Sequence, residues 1–239
     1  MSKNAIIFGA TSGIGKELAK LLVNDGYNVL ITGRRLEKLK EIQTTNPEKY
    51  KIKQNDITNI DACGKLFEVL PSIFDKIDLI VVNSGTGAAN YKLEWEVGLT
   101  TINTNVLGNT RMFQLAYNYF NTQGFGHLVG VTSIASIRGN RHVPDYFASK
   151  AFQASYLESL WMKANRSKKD IVITNILPGY VDTKMATGNT FWKAPLDKAT
   201  KQIFTAIKRK KKKAYITKRW RLVALFLKIT PASLVNRYF

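Results

Sequence analysis

Cysteine is almost absent from this 239-residue sequence, which contains Cys63 alone. A single cysteine excludes an intramolecular disulfide and a cysteine-based metal cluster, and it favours a reducing, cytoplasmic setting. Long apolar runs are also missing. The run in MSKNAIIFGA is too short for a signal-peptide core, and none approaches the roughly 20 residues of a membrane-spanning helix. We therefore expect a cytoplasmic protein that attaches to a membrane at most at its surface.

Linkers, internal repeats and C-terminal acidic residues are missing as well. No Pro/Ser-rich stretch divides the chain, which predicts a single domain over residues 1–239. Residues 201–239 contain twelve Lys and Arg and no Asp or Glu, so they carry most of the formal net charge of +19. The positive excess belongs mainly to this tail.

Seven short apolar runs rich in β-branched residues alternate with amphipathic stretches. The runs lie at residues 4–8, 28–32, 50–54, 78–82, 127–132, 171–177 and 214–217. Strands that alternate with helices predict crossover connections and a parallel sheet, and continuous apolarity predicts helices on both of its faces. The expected fold class is α/β, a doubly wound, Rossmann-type sheet of about seven strands. Ligands of such sheets lie beyond the carboxyl ends of the strands.

The stretch GATSGIG, residues 9–15, follows the first predicted strand and leads into a helical pattern. Glycines permit a tight turn and a close approach of backbone N–H groups to a pyrophosphate at the helix N-terminus, where the dipole favours negative charge. An ordinary glycine-rich turn is the alternative, but the strand before it and the helix after it favour a dinucleotide site. The candidate residues are Gly9, Thr11, Ser12, Gly13, Ile14 and Gly15.

The second predicted strand ends in TGRR, where a dinucleotide fold that prefers NAD usually carries an acidic residue. Arg34 and Arg35 stand there instead. A guanidinium group can hold a 2′-phosphate through forked, charge-assisted hydrogen bonds, which favours NADP over NAD. A solvated helix start at Arg35 is the alternative interpretation.

Tyr146 and Lys150 are four residues apart in the stretch DYFASK, which has a helical pattern. Residues at this spacing share a helix face, so the ammonium group can lie near the phenol oxygen. At about 4 Å and an effective dielectric constant of about 20, that charge favours phenolate by up to about 4 kcal/mol, or about 3 pKa units. A second pair, Tyr180 and Lys184, has the same spacing but follows Pro178 and Gly179 in a turn pattern. Its side chains are therefore not expected to meet.

Six motifs in order resemble the short-chain dehydrogenase/reductase family: GATSGIG, NSG at 83–85, NVLG at 105–108, TSIAS at 132–136, YFASK at 146–150 and PGYVDT at 178–183. The resemblance spans residues 4–183. It implies a Rossmann-type sheet, a nicotinamide dinucleotide, and a homodimer or homotetramer. It also implies a catalytic group made of Asn105, Ser133, Tyr146 and Lys150.

Each motif position carries the role that the resemblance implies. Tyr146 is the expected general acid/base and Lys150 its partner, which also contacts the nicotinamide ribose. Ser133 is expected to hold the substrate oxygen, and Asn105 to support a water that relays protons to the lysine. The further cofactor contacts implied are Asp56, Ile57, Asn83, Ser84, Gly85, Pro178, Gly179, Val181 and Thr183. The segment at 82–85 departs from the family's Asn-Asn-Ala-Gly element, because it reads Val-Asn-Ser-Gly.

The C-terminal part, residues 184–239, combines a predicted substrate loop with a basic segment. Phe191 and Trp192 either line an apolar substrate pocket or pack on the body of the protein. The run KRKKKK at 208–213 suits a helix end or a solvated charge run. The mixture of Lys/Arg with Trp, Leu and Phe after residue 217 suits an interfacial helix at an anionic bilayer, a lid over the substrate site, or a subunit contact.

Other residues have mainly structural interpretations. Cys63 is expected to pack in a helix, and His127 to open a strand. His142 lies between Ser133 and Tyr146, where a substrate contact is conceivable but structural use is favoured. No histidine has companions that would make a metal site. The apolar stripe in residues 112–120 predicts a helix packed on the sheet or on a partner subunit.

These observations favour an NADP-dependent oxidoreductase that transfers a hydride between the cofactor and a carbonyl compound or secondary alcohol. The apolar residues after 184 suggest a hydrophobic or bulky small-molecule substrate. A non-catalytic NADP-binding regulator is the first alternative, and the complete set of four catalytic residues argues against it. Nucleic-acid binding through the basic tail is the second alternative, and the tail lacks a recognition motif.

Overall fold

The computed structural model of the protein describes residues 3–186, 192–231 and 233–234. Its seven strands are β1 (Asn4–Phe8), β2 (Asn28–Gly33), β3 (Tyr50–Gln54), β4 (Leu79–Val82), β5 (Phe125–Val131), β6 (Asp170–Pro178) and β7 (Lys213–Ile216). Within the described ranges, the eight α-helices are α1 (Gly13–Asn24), α2 (Leu36–Gln43), α3 (Ile60–Ile73), α4 (Trp95–Ile102), α5 (Asn109–Gln123), α6 (Pro144–Arg166), α7 (Leu196–Lys208) and α8 (Trp220–Ile229).

The strands form one parallel sheet in the order β3-β2-β1-β4-β5-β6-β7. The order reverses between β1 and β4, and this reversal makes a crevice at the carboxyl ends of the two strands. The predicted fold class, a doubly wound Rossmann-type sheet of seven strands, is confirmed.

Two hydrophobic cores cover the two faces of the sheet. On one face, α1 and α7 pack side by side with apolar residues such as Leu18, Leu22 and Ile203. On the other face, α3, α5 and α6 bury residues such as Phe113 and Leu157. The five inner strands are buried on both sides, which explains why their sequences are largely apolar instead of alternating, whereas the edge strand β3 (YKIKQ) exposes its polar residues.

Local signals account for several element boundaries. The side chain of Asn59 accepts a hydrogen bond from the backbone N–H of Ala62 and caps α3. Pro144 occupies the first turn of α6, where its missing N–H is tolerated. Gly124 ends α5 with a φ of 93°, a conformation that glycine adopts readily.

Residues with predicted structural roles lie in the interior. Cys63 is buried on α3, and the stripe on α5 buries Met112, Phe113 and Phe120 in the core. His127 is buried in β5, and its Nε2 lies 2.7 Å from the Thr174 hydroxyl. Within the described ranges, no helix has the length and apolarity needed to cross a bilayer.

Candidate active site

The turn between β1 and α1 lies against the end of β4. Gly9 has a φ of 83°, and a β-carbon there would overlap Ser84. A β-carbon on Gly15 would overlap the Gly9 carbonyl group. The Asn83 side chain donates a 2.8 Å hydrogen bond to that same carbonyl. Glycine is therefore required for the two strand ends to meet, and Asn83, Ser84 and Gly9 form one wall of the crevice.

The N-terminus of α1 is suited to an anion. Ser12 occupies the N-cap position without a capping side-chain hydrogen bond, and the first turn contains no acidic residue. Arg35 lies beside this end of the helix, because its Nη2 is 2.5 Å from Thr11 Oγ1 and 3.0 Å from Ser12 Oγ. A guanidinium group and a helix N-terminus together form a positive site for a phosphate group.

Of the two predicted arginines, the structure brings only Arg35 to the glycine-rich turn. The Arg34 side chain is exposed, and its carbonyl group accepts a hydrogen bond from Gln54. Asp56 and Ile57 follow β3 as predicted. Asp56 Oδ1 accepts hydrogen bonds from the backbone N–H and hydroxyl of Thr58. A role for Asp56 and Ile57 in cofactor binding stays a prediction.

The segment after β6 faces the glycine-rich turn from the other side of the crevice. The methyl group of Thr183 would lie 3.4 Å from a β-carbon on Gly13. Gly179 donates its N–H to the Ile216 carbonyl at 2.6 Å, and Val181 forms a bridge with Ala194. These contacts place four residues where they can line one side of a molecule held between the two segments. The four are Pro178, Gly179, Val181 and Thr183.

Ser133 and Tyr146 meet beyond the carboxyl end of β5. Ser133 begins the 3-10 turn Ile134–Ile137 and accepts a 3.1 Å hydrogen bond from the Ala135 N–H. Tyr146 is the third residue of α6, and its phenol lies close enough to the Ser133 side chain to interact with it. Gly87 lies against the Tyr146 ring so closely that a β-carbon there would overlap it. The phenol is therefore held between a hydroxyl group and a glycine.

Lys150 lies one helical turn after Tyr146 and is buried. Its Nζ donates to Gln153 Oε1 at 3.0 Å and to the Val131 carbonyl at 3.3 Å, and it lies 5.7 Å from the centroid of the Tyr146 ring. Burial disfavours the charged form and lowers the pKa of Lys150 to about 7.

The expectation that Lys150 lowers the pKa of Tyr146 is wrong for this structure. Burial raises the phenol pKa above its ordinary value, and this effect exceeds the opposing hydrogen bond from Ser133. Tyr180 raises the phenol pKa further. The reason for the difference is that the ammonium group is itself desolvated and directed at two other oxygen atoms.

Asn105 lies in a π-helical turn, Asn103–Gly108, between α4 and α5. Its side chain holds Thr86 through the backbone N–H (2.9 Å) and carbonyl (2.7 Å), and it donates to Ser149 Oγ at 3.0 Å. Its own carbonyl accepts a 2.7 Å hydrogen bond from Gln153 Nε2. π-Helical turns often occur at functional sites. Here the turn directs the Asn105 carbonyl toward Gln153.

Gln153 is a site residue that the sequence interpretation missed. Its amide links the Lys150 ammonium to the Asn105 carbonyl. The water that Asn105 is expected to support stays a prediction. The Gln153 side chain is almost fully buried. The available signal was its position three residues after Lys150, which puts a polar side chain on the same face of α6 as Tyr146 and Lys150.

Exposed aromatic and aliphatic side chains surround these strand ends. On the β4–α4 connection, Tyr91, Leu93 and Trp95 are each about 70% exposed. This connection is attached to the start of α6, since the centroids of the tilted Tyr91 and His142 rings lie 5.1 Å apart and Asn90 donates to Asp145 at 2.9 Å.

The other side of the site carries a second aromatic group. The Trp220 ring lies 5.8 Å from Tyr180 and 6.2 Å from Trp192, and it covers Gly179 so closely that no β-carbon would fit. Tyr180 and Lys184 lie outside any helix, as expected for the second Tyr/Lys pair. Phe191 lies outside the described residues.

Known proteins share both the sequence pattern and the architecture. A sequence model of the family described as short chain dehydrogenase matches residues 3–194. A Myxococcus xanthus protein named "Uncharacterized oxidoreductase" is 32% identical over 199 residues, which cover 79% of this chain and 76% of that protein.

Two solved structures extend the comparison. An alcohol dehydrogenase from Thermococcus sibiricus, complexed with 5-hydroxy-NADP, superposes with a TM-score of 0.81 at 20% identity, covering 90% of this chain and 96% of that one. A short chain dehydrogenase/reductase from Burkholderia phymatum, in complex with NAD, superposes with a TM-score of 0.86 at 17% identity, covering 94% and 92%. At these identities the likeness establishes the fold.

Proposed function

Because the chain belongs to the short-chain dehydrogenase/reductase family of oxidoreductases, we propose that it interconverts a carbonyl compound and a secondary alcohol with NADP. The observation that carries this proposal is the convergence of Ser133, Tyr146 and Lys150 beyond the end of β5. Substrate reduction or oxidation then follows whichever direction the cofactor ratio favours.

The residues of the crevice fit a nicotinamide dinucleotide. The uncapped N-terminus of α1, free of acidic residues in its first turn, suits a pyrophosphate. We propose that residues 9–15 hold the pyrophosphate, that Asn83, Ser84 and Gly85 line the middle of the crevice, and that Pro178–Thr183 hold the carboxamide end. When bound, the cofactor supplies or accepts the hydride.

Within this proposal, the protein's own groups hold the substrate oxygen and move its proton. The Ser133 hydroxyl and the Tyr146 phenol converge on one point, where each can hydrogen-bond the same carbonyl oxygen. A phenol with a raised pKa stays protonated at neutral pH, so Tyr146 is able to donate its proton as the alcohol forms. The phenolate left on Tyr146 then regains a proton from solvent, and Lys150, held by Gln153 and Val131, supplies positive charge near the phenolate while it persists.

We propose that NADP is preferred over NAD. Arg35, which lies at the glycine-rich turn, would hold the 2′-phosphate through charge-assisted hydrogen bonds. The Thermococcus structure contains an NADP derivative and the Burkholderia structure contains NAD, so both cofactors occur on this fold.

The exposed apolar groups on both sides of the site favour a hydrophobic or bulky carbonyl substrate. Tyr91, Leu93 and Trp95 contribute on one side, and Trp192 with Tyr180 on the other. Backbone strain supports a functional role for two of them, because Leu93 and Trp192 have φ values of 56° and 55°.

We also propose that the protein is cytoplasmic and forms a homodimer or homotetramer.

Turnover with NADPH and a panel of ketones tests the central proposal. We expect oxidation of NADPH by the wild-type protein and a loss of about 10²-fold or more in kcat/KM for Tyr146→Phe, since proton transfer is typically worth 10²–10⁴-fold. Cofactor binding, measured by fluorescence, should be retained in the variant. Wild-type protein that binds NADPH but turns over no carbonyl compound would instead support a regulatory dinucleotide-binding protein.

A further inference from the structure

The outer side of α8 is a continuous apolar stripe. Leu222, Leu225, Phe226 and Ile229 are each more than half exposed. Their spacing of three, one and three residues places them on one side of the helix. The inner side of α8 is also apolar and is buried against the body of the protein. A surface helix normally carries polar residues on its outer side. The outer side of α8 is instead a second hydrophobic surface, and it is exposed.

Positive charge borders the stripe. Lys218, Arg219, Arg221 and Lys228 are exposed, and no salt bridge involves them in the part of the chain that the structure describes. At the start of α8, Lys218 and Arg219 line an open cavity together with Lys198 of α7. The sequence contains no acidic residue after position 200. Cations beside an apolar helix face match lipid headgroups above acyl chains.

Both ends of α8 are attached to segments of the candidate active site. Arg138, which follows the 3-10 turn of Ser133, donates from Nε to the Leu227 carbonyl at 2.6 Å and from Nη2 to the Thr230 carbonyl at 2.5 Å. At the other end, Trp220 covers Gly179. The helix therefore presents its stripe from a fixed position beside the site.

We propose that α8 docks the protein on an anionic phospholipid surface, with the apolar stripe in the interfacial region and the flanking cations at the headgroups. A second copy of this chain is the competing occupant. A twofold contact of α8 with itself would bring two basic segments together without an acidic residue on either, and like charges in an interface oppose association. Anionic lipid supplies both the apolar and the charge complement.

One consequence rests on the proposed function. If the site reduces carbonyl compounds, docking through α8 places the exposed apolar residues around the site next to the bilayer. Substrates that partition into lipid are then the favoured class. The docking itself is independent of catalysis. Tyr146→Phe should therefore bind vesicles as the wild-type protein does, which separates failure of docking from failure of the proposed reaction.

Co-sedimentation of the full-length protein with phosphatidylcholine vesicles, with or without phosphatidylglycerol, tests the docking. We expect binding only to the vesicles with phosphatidylglycerol, and a partition coefficient at least about tenfold lower for Leu225→Gln/Phe226→Gln, because two apolar side chains no longer enter the interface. The matched control Val69→Gln/Met162→Gln replaces exposed apolar residues on α3 and α6. It should bind as wild type.

Charge is tested separately with Arg221→Glu/Lys228→Glu against Lys65→Glu/Lys168→Glu, which changes net charge equally at exposed positions away from α8. Only the first pair should abolish binding. Three results would overturn the proposal: no binding of wild type to anionic vesicles at low salt, equal losses in both charge-reversal variants, or an α8 variant that dissociates an oligomer while vesicle binding is unchanged. Circular dichroism and size-exclusion chromatography confirm that each variant is folded.

Discussion

Arg35 is the residue to which we assign the proposed preference for NADP, because its guanidinium group reaches Thr11 and Ser12 on the glycine-rich turn. We expect Arg35→Ala to weaken NADPH binding by roughly ten- to a hundredfold, the range for losing hydrogen bonds to a charged group. NADH binding should change little. Fluorescence titration of both cofactors measures the two effects.

Arg34→Ala is the matched control, since the Arg34 side chain is exposed and its interaction with Gln54 uses the backbone carbonyl. Its NADPH affinity should stay close to wild type. Equal losses for NADPH and NADH in Arg35→Ala would contradict a 2′-phosphate contact.

At the scale of single residues, spacing together with a helical pattern predicted that Tyr146 and Lys150 lie together, whereas Tyr180 and Lys184 have the same spacing outside a helix. Tyr146 and Lys150 share a helix face, so their proximity follows from local geometry. Gln153 was missed because its function requires the Asn105 carbonyl, which reaches it only through a π-helical turn distant in sequence. The raised pKa of Tyr146 was missed for a similar reason, since burial is a property of the assembled fold.

The β4–α4 connection lies against the Tyr146 phenol, to which we assign proton transfer. Gly87 lies on the Tyr146 ring, and a methyl group there would displace the ring from Ser133. We expect Gly87→Ala to lower kcat by about 10²-fold, because displacements of about 1 Å in a reacting group have costs of this size. Steady-state kinetics with a ketone substrate measures the loss, and NADPH affinity should be retained.

Gly139→Ala provides the control, because a β-carbon at Gly139 would meet no atom within 4 Å. It should retain wild-type kinetics. If Gly87→Ala were as active as Gly139→Ala, the phenol would not depend on this connection for its position.

Elements were predictable where their sequence signal is local. All seven strands were expected from apolar runs, but β5 begins at Phe125, two residues before the expected start. The reason is tertiary, since Phe125 pairs with Asp170 of β6. The π-helical turn at Asn105 had no local signal, because its side chain is held by Thr86 from another connection.

Acid stability of the whole molecule depends on His127, buried between the two cores. Burial lowers its pKa from 6.5 to about 4, with a further lowering from Lys210 and an opposing effect of Asp170. At pH values between about 4 and 6.5, His127 is therefore protonated in the unfolded chain and neutral in the folded chain. Stability should fall as pH falls through this window, by roughly 3 kcal/mol at its acid end.

Urea unfolding between pH 7 and pH 4 measures this loss. His127→Gln, which cannot titrate, should show a smaller decrease in the free energy of unfolding. His142→Gln, a change at a partly exposed position, should keep the wild-type dependence. An unchanged pH dependence in His127→Gln would remove this histidine as the cause.

The distribution of charge over the whole molecule was only partly predictable. The basic run at 208–213 was expected as a helix end or a solvated run, and α7 does end at Lys208. Its partners could not be predicted, because Asp25, Asp170 and Glu158 come from distant parts of the chain. The parallel arrangement of the sheet, by contrast, was predictable from the alternation of strands and helices.

Helix α6 carries Tyr146, Ser149, Lys150 and Gln153 within its first three turns. Their relative positions are set by one rigid rod, whereas the apolar surroundings come from separate connections and from α8. A change in those connections can therefore alter which molecules enter the candidate active site, while the four residues on α6 keep their spacing. In such an architecture, a lineage can acquire new substrates through its loops and inherit its chemistry intact.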